Sequence, residues 1–167
     1  MPATNPSHEP PAERILAIVD WNLDPGAVVE ELGRRAGVRR TVFGLLVPAR
    51  LALLDWIGDP KASCPCAARQ LEELAKRGAD TGLAVAAAAT GDPERVSAAR
   101  NVLAGWQADR VVLFERARRK PLKRASVESR LRRSTRLPIE VVNSPLRISP
   151  ESGGRFQAPA RCRAELG

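Results

Sequence analysis

Three groups of residues in this chain have side chains and spacings suited to chemistry. The first is Asp20, followed by Trp21 and Asn22, at the end of the apolar run from Ile15 to Val19. A carboxylate there can accept hydrogen bonds from a ligand's hydroxyl or amine groups, or serve as a solvated turn or capping residue, a use common for aspartate. The second is Cys64 and Cys66 in Ser63-Cys64-Pro65-Cys66, beside an expected helix start whose amides could lower a thiol pKa. Two small packed side chains are the alternative, following the burial habit of free cysteine. The third is Glu115-Arg116-Ala117-Arg118-Arg119-Lys120-Pro121-Leu122-Lys123-Arg124, with Arg130, Arg132, Arg133 and Arg136 after it. This block holds much of the formal net charge of +8 and has three readings. It is a solvated charged surface; or Arg116, Arg118, Arg119, Lys120, Lys123 and Arg124 form a side-chain clamp for a phosphate or other anion; or it contacts an RNA or DNA backbone in a salt-dependent way.

Composition removes other chemistries. The chain has one histidine, His8, no tyrosine and an aromatic fraction of 4%. A histidine-based triad, a histidine-ligated metal and aromatic stacking platforms for RNA all lack their residues. We therefore expect neither catalytic nor metal-ligating residues. Three cysteines in a chain of 167 residues do not suggest a disulfide framework. No apolar run approaches the roughly 20 residues that cross a bilayer. Pro2, Pro6, Pro10 and Pro11 occupy the place of a signal peptide's apolar segment, so the expected location is the cytoplasm.

The elements that must position these groups follow from pattern. Residues 1–12 read as a flexible lead, 13–143 as one domain, and 144–167, rich in Pro, Gly, Ser and Arg, as a tail. Five short apolar runs read as strands: Ile15 to Val19, Val42 to Val47, Leu83 to Ala89, Val111 to Phe114 and Ile139 to Val142. Most are continuous instead of alternating, as strands covered on both faces are. Between them lie helical signals. Asp24-Pro25 and Asp92-Pro93 each place a capping carboxylate before a proline. Val28, Leu32 and Ala36, then Ala67, Leu71, Leu74 and Ala75, then Val96, Ala99, Leu103 and Trp106 each mark one helical face. Gly78 is the expected end of the second of these helices, and Ser126 the cap of a fourth that buries Val127 and Leu131. Leu51 to Ile57 read as a short packed element of undetermined type. Strand and helix in alternation give an open five-stranded parallel sheet with helices on both faces, a Rossmann-like α/β domain. Ligands of such sheets gather outside the carboxyl ends of the strands, which singles out Asp20, Trp21 and Asn22, then Pro48, Thr90, Gly91, Glu115 and Arg116.

The order of these pieces resembles a universal stress protein domain. The residues that carry the resemblance are Arg14-Ile15-Leu16-Ala17-Ile18-Val19-Asp20, Gly91-Asp92-Pro93, Ala108-Asp109-Arg110-Val111-Val112, and Ser126 to Leu131 leading into Leu137-Pro138-Ile139-Glu140-Val141-Val142. The resemblance implies an adenine nucleotide as ligand, with Asp20 at the nucleotide-contacting aspartate and Val47 near the adenine side. It also implies a homodimer paired through strand 139–142. ATP-binding members carry Gly, two residues, Gly, nine residues, then Gly-Ser or Gly-Thr after the fourth strand. Here Ser126 matches the hydroxyl residue, but Ala125, Glu115 and Val112 stand at the glycine positions, and no glycine occurs from Trp106 through Ser152. Only glycine lets a backbone wrap phosphate so closely, so the resemblance implies a degenerate ATP site that keeps at most the base and ribose half. Enzymes of the same broad fold that cleave ATP at its α-phosphate place Ser-Gly-Gly-x-Asp after the first strand; Asp20-Trp21-Asn22 stands there instead. No Gly-x-x-x-x-Gly-Lys or Gly-x-Gly-x-x-Gly follows any strand. The expected function is a stress-response binding domain and not an enzyme; the alternative is a basic anion- or nucleic-acid-binding module acting through residues 116–136.

Overall fold

Each of the five apolar runs forms a strand: β1 (Glu13–Val19), β2 (Thr41–Pro48), β3 (Val85–Gly91), β4 (Arg110–Glu115) and β5 (Ile139–Asn143). Helices α1 (Pro25–Ala36), α2 (Pro65–Asp80), α3 (Arg95–Gly105) and α4 (Val127–Thr135) alternate with them. The computed structural model describes residues 11–37, 39–49, 65–116 and 126–147. The sheet order is β3-β2-β1-β4-β5, and every neighbouring pair is parallel.

Continuous apolar strands are explained by two cores. Ile15, Ala17 and Val19 of β1 pack on one face with Val28, Val29 and Leu32 of α1 and Ala67 and Leu74 of α2. Leu16 and Ile18 pack on the other with Val96, Ala98 and Ala99 of α3 and Leu131 of α4. Each fully buried aliphatic or phenyl side chain contributes roughly 1.5–3 kcal/mol of transfer free energy, so β1, β2 and β4, buried on both faces, anchor the domain. β3 differs from expectation. It lies at the sheet edge, starts at Val85 instead of Leu83, and alternates between half-buried and exposed residues. An edge strand has a neighbour on one side only, and its small alanines leave one row of side chains uncovered.

The caps follow the sequence in two of three cases. Asp24 accepts the Ala27 amide at 3.0 Å ahead of Pro25, and Ser126 accepts the Ser129 amide at 3.2 Å. Asp92 does not cap α3. Glu94 does, taking the amides of Ser97 at 2.8 Å and Val96 at 3.3 Å, because the helix begins two residues beyond Pro93 and the longer carboxylate reaches both donors. Asp92 instead accepts the Asn101 side-chain amide at 3.2 Å. Nor does α2 stop at Gly78. It runs to Asp80, and the left-handed residue that turns the chain is Gly82, at φ +76°.

Beyond β5 the chain crosses back over the β1–α1 connection. Leu146 forms an antiparallel bridge with Leu23, the Asp24 amide donates to the Pro145 carbonyl at 2.9 Å, and the Arg147 amide donates to that of Asn22 at 2.9 Å. Cys66 is a half-buried thiol in the first turn of α2. The segment Leu51 to Ile57, Cys64 and residues 148–167 lie outside the described residues.

Candidate functional site

The strand order reverses at β1. The chain leaves β1 into α1 on one face of the sheet and leaves β4 toward α4 on the other, so the carboxyl ends of these adjacent strands flank a crevice. Asp20 follows β1 directly, Glu115 ends β4, and between them reaches Arg95 from the first turn of α3. Its guanidinium lies 2.5 Å from Asp20 Oδ1 and 3.5 Å from Glu115 Oε2. The three side chains are 19%, 17% and 25% exposed, for Arg95, Asp20 and Glu115 in turn. This is a partly desolvated triad of two carboxylates and one guanidinium.

Gly91 is what brings α3 so close. A Cβ at Gly91 would lie 2.6 Å from Ala98 Cβ and 2.9 Å from Leu46 Cδ1, so only glycine lets the end of β3 touch the helix. Arg130 of α4 lies 3.0 Å from Glu94, tying the first turn of α4 to that of α3. Burial pushes the Glu94 carboxyl upward, but the Ser97 and Val96 amides, the Ser97 hydroxyl and the Arg130 charge outweigh it and hold Glu94 below the usual carboxylate range.

No family model matches the sequence, and no curated protein matches it either. Among solved structures the chain is similar to a universal stress protein crystallised in complex with cAMP, at 18% identity and a TM-score of 0.53, over 80% of this chain and 98% of that one. The fold is that of a universal stress protein.

Within this universal stress protein fold the residues singled out from sequence separate. Asp20 stands in the crevice. Ser126 caps α4, and its hydroxyl also lies 3.0 Å from that of Ser129; the Arg130–Glu94 pair connects this turn to the Arg95 side. Val47 is apart from them: its side chain is fully buried in the core beneath α1 and α2 and presents no surface to a ligand. Arg116 is exposed one residue past Glu115. Arg118, Arg119, Lys120, Lys123 and Arg124 lie outside the described residues. The arginines of α4 are engaged within the chain. Arg132 pairs with Glu128 at 2.7 Å and donates to the Ile139 carbonyl, and Arg133 donates to the Ser129 carbonyl.

Sequence reasoning missed Arg95. The available signal was a cation at the first position of a helix, where the macrodipole favours anions. Among the described residues no group of three His, Cys, Asp or Glu side chains could hold a metal ion, and no helix is long and apolar enough to cross a membrane. A groove of about 470 Å³ between α3 and α4, lined by Arg100, Leu103, Gln107, Asp109 and Leu137 among others, opens at the amino end of β4, away from the crevice.

Proposed function

We propose that this protein is a stress-response binding domain that takes an adenine nucleotide at the β1/β4 crevice and acts by binding, not by turnover. The observation that carries this reading is the position of Asp20 at the reversal of strand order, in a fold shared with a universal stress protein solved in complex with cAMP. Its carboxylate suits the hydroxyls of a ribose. The phosphate half of the site is rebuilt relative to glycine-bearing relatives. Where a glycine would stand, Glu115 faces the Arg95 guanidinium, whose donors take over the task of main-chain amides. β5 pairs only with β4 among the described strands, and we assign its outer edge to a homodimer. The protein is read as cytoplasmic.

The alternative, a basic module working through residues 116–136, has less behind it, because Arg130, Arg132 and Arg133 are occupied by partners in the chain. Mass spectrometry of natively purified protein, followed by calorimetric titration with AMP, cAMP and ATP, tests the nucleotide reading. Co-purified or titratable nucleotide that is lost in Asp20→Ala is the expected result. An empty protein that binds none of the three at millimolar concentration refutes it.

A further inference from the structure

Arg95 is where the sequence accepts an electrostatic cost. It occupies the first position of α3, where the helix dipole disfavours a cation, and it reaches back to bridge Asp20 and Glu115 across the ends of two strands. The carboxylate best placed to meet a ligand is therefore already taken. A neutral ligand that needs Asp20 must break a close, charge-assisted contact and leave Arg95, among the described residues, with Glu115 at 3.5 Å. An anionic ligand breaks the same contact but replaces it. Guanidinium binds phosphate with the same paired donors that it offers a carboxylate, so a phosphate entering the crevice exchanges with Asp20 on Arg95 and releases Asp20 to the ligand's hydroxyls.

We propose that Arg95 is the specificity-determining residue of the crevice, an internal latch on Asp20 that a nucleoside phosphate opens and a nucleoside does not. This inference rests on the nucleotide reading above and names the group that selects among ligands at that site. It requires no loop of main-chain amides: one end of the latch, Asp20, becomes the hydroxyl acceptor, and the other, Arg95, becomes the phosphate donor. Glu94 and Arg130 stand beside it as a separate pair, so the exchange leaves the α3–α4 contact in place.

The test is calorimetric titration of AMP and of adenosine into the full chain and into Arg95→Gln. The wild type should prefer AMP by about tenfold or more, the scale of one charge-assisted paired contact. In Arg95→Gln that ratio should fall close to one, AMP binding more weakly and adenosine at least as tightly as before, since the Arg95 contact no longer competes for Asp20. If Arg95→Gln does not fold, Arg95→Lys carries the test, because it keeps the charge and loses the paired donors; its ratio must also fall. A wild type that binds both ligands equally, or a variant that keeps the wild-type ratio, overturns the latch and leaves the nucleotide site standing. Failure of both ligands to bind the folded wild type overturns the nucleotide site and the latch together.

Discussion

Gln70 offers the most demanding test of how the crevice loop is held. It is 1% exposed in the middle of α2, on a helix whose other inward residues are apolar. Its Nε2 donates to the Leu23 carbonyl at 2.9 Å, and its Oε1 accepts from Arg147 at 2.7 Å. Arg147 also pairs with Glu73 at 2.5 Å. One buried amide thus joins the β1–α1 connection, α2 and the segment after β5. Gln70→Met keeps the volume and removes both bonds. Leaving the Leu23 carbonyl buried and unpaired costs about 1–3 kcal/mol. The Arg147 bond adds little, roughly half a kcal/mol, because that side chain is 40% exposed and its donor returns to water. The expected loss is about 2 kcal/mol, measured as a lower urea midpoint at unchanged slope, or roughly 4–8 °C in melting temperature for a domain of this size. Arg147→Ala alone should cost less, and the double variant should fall short of the sum by about 0.5 kcal/mol or more, since the two residues share a bond. A Gln70→Met protein within about 0.5 kcal/mol of wild type, or strict additivity with Arg147→Ala, would refute the claim that the three segments form one clasp.

Three further outcomes follow from the geometry. Gly44→Ala should destabilise by about 1–3 kcal/mol in urea unfolding, because its Cβ would meet the Trp106 ring at 2.8 Å and that ring is held by the Arg14 guanidinium 4.8 Å from its centroid. Ser126→Ala should cost about 1 kcal/mol by loss of the α4 cap, read in the same assay. The Arg35 hydrogen bonds, at 2.7 and 2.8 Å, hold the Glu140 carboxyl below its ordinary range, burial working against them and the charges of Arg35 and Arg110 with them. A carboxyl depressed in the folded state contributes stability that is complete above its unfolded pKa and is lost as pH falls through the lowered folded value. Melting temperature of the wild type should therefore drop more steeply than that of Glu140→Gln on acidification through the carboxylate range; the difference is modest, since Glu140 is 45% exposed.

How much of this was legible in the sequence depends on whether a feature is local. Strands β1, β2 and β4 were readable because burial on both faces demands short continuous apolar runs, β5 because its isoleucine and valines still stand out at a half-buried edge, and Asp24 and Ser126 because a cap is settled within three residues. The β3 edge was not readable, because Ala86 and Ala88 look the same in a covered strand as in an uncovered one; sheet order decides, and sheet order is a property of the whole chain. Gln70 sat unnoticed on the α2 face for the same reason. A buried amide is recognisable only through its partners, and Leu23 and Arg147 lie 47 and 77 residues away. The position of Asp20 was predictable from the end of β1, whereas the residue that meets it comes from the far side of β3.

That last gap bears on how this site was assembled. Local rules would place an acid at the start of α3, and Glu94 obeys them as its cap. Arg95, next to it, breaks them, and what compensates is long-range: a carboxylate from β1 and another from β4, brought within reach because Gly91 lets α3 settle against β3. A sequence that departs from local preference at one position, and supplies the remedy from two distant strands, is most often doing so at a working surface. On the proposed reading, the same arrangement is how a crevice without phosphate-loop glycines would discriminate between charged and neutral ligands. Main-chain amides bind an anion wherever the loop places them; a guanidinium held by two carboxylates binds one only at the expense of a contact it already has, which makes selection a competition between the ligand's charge and Asp20.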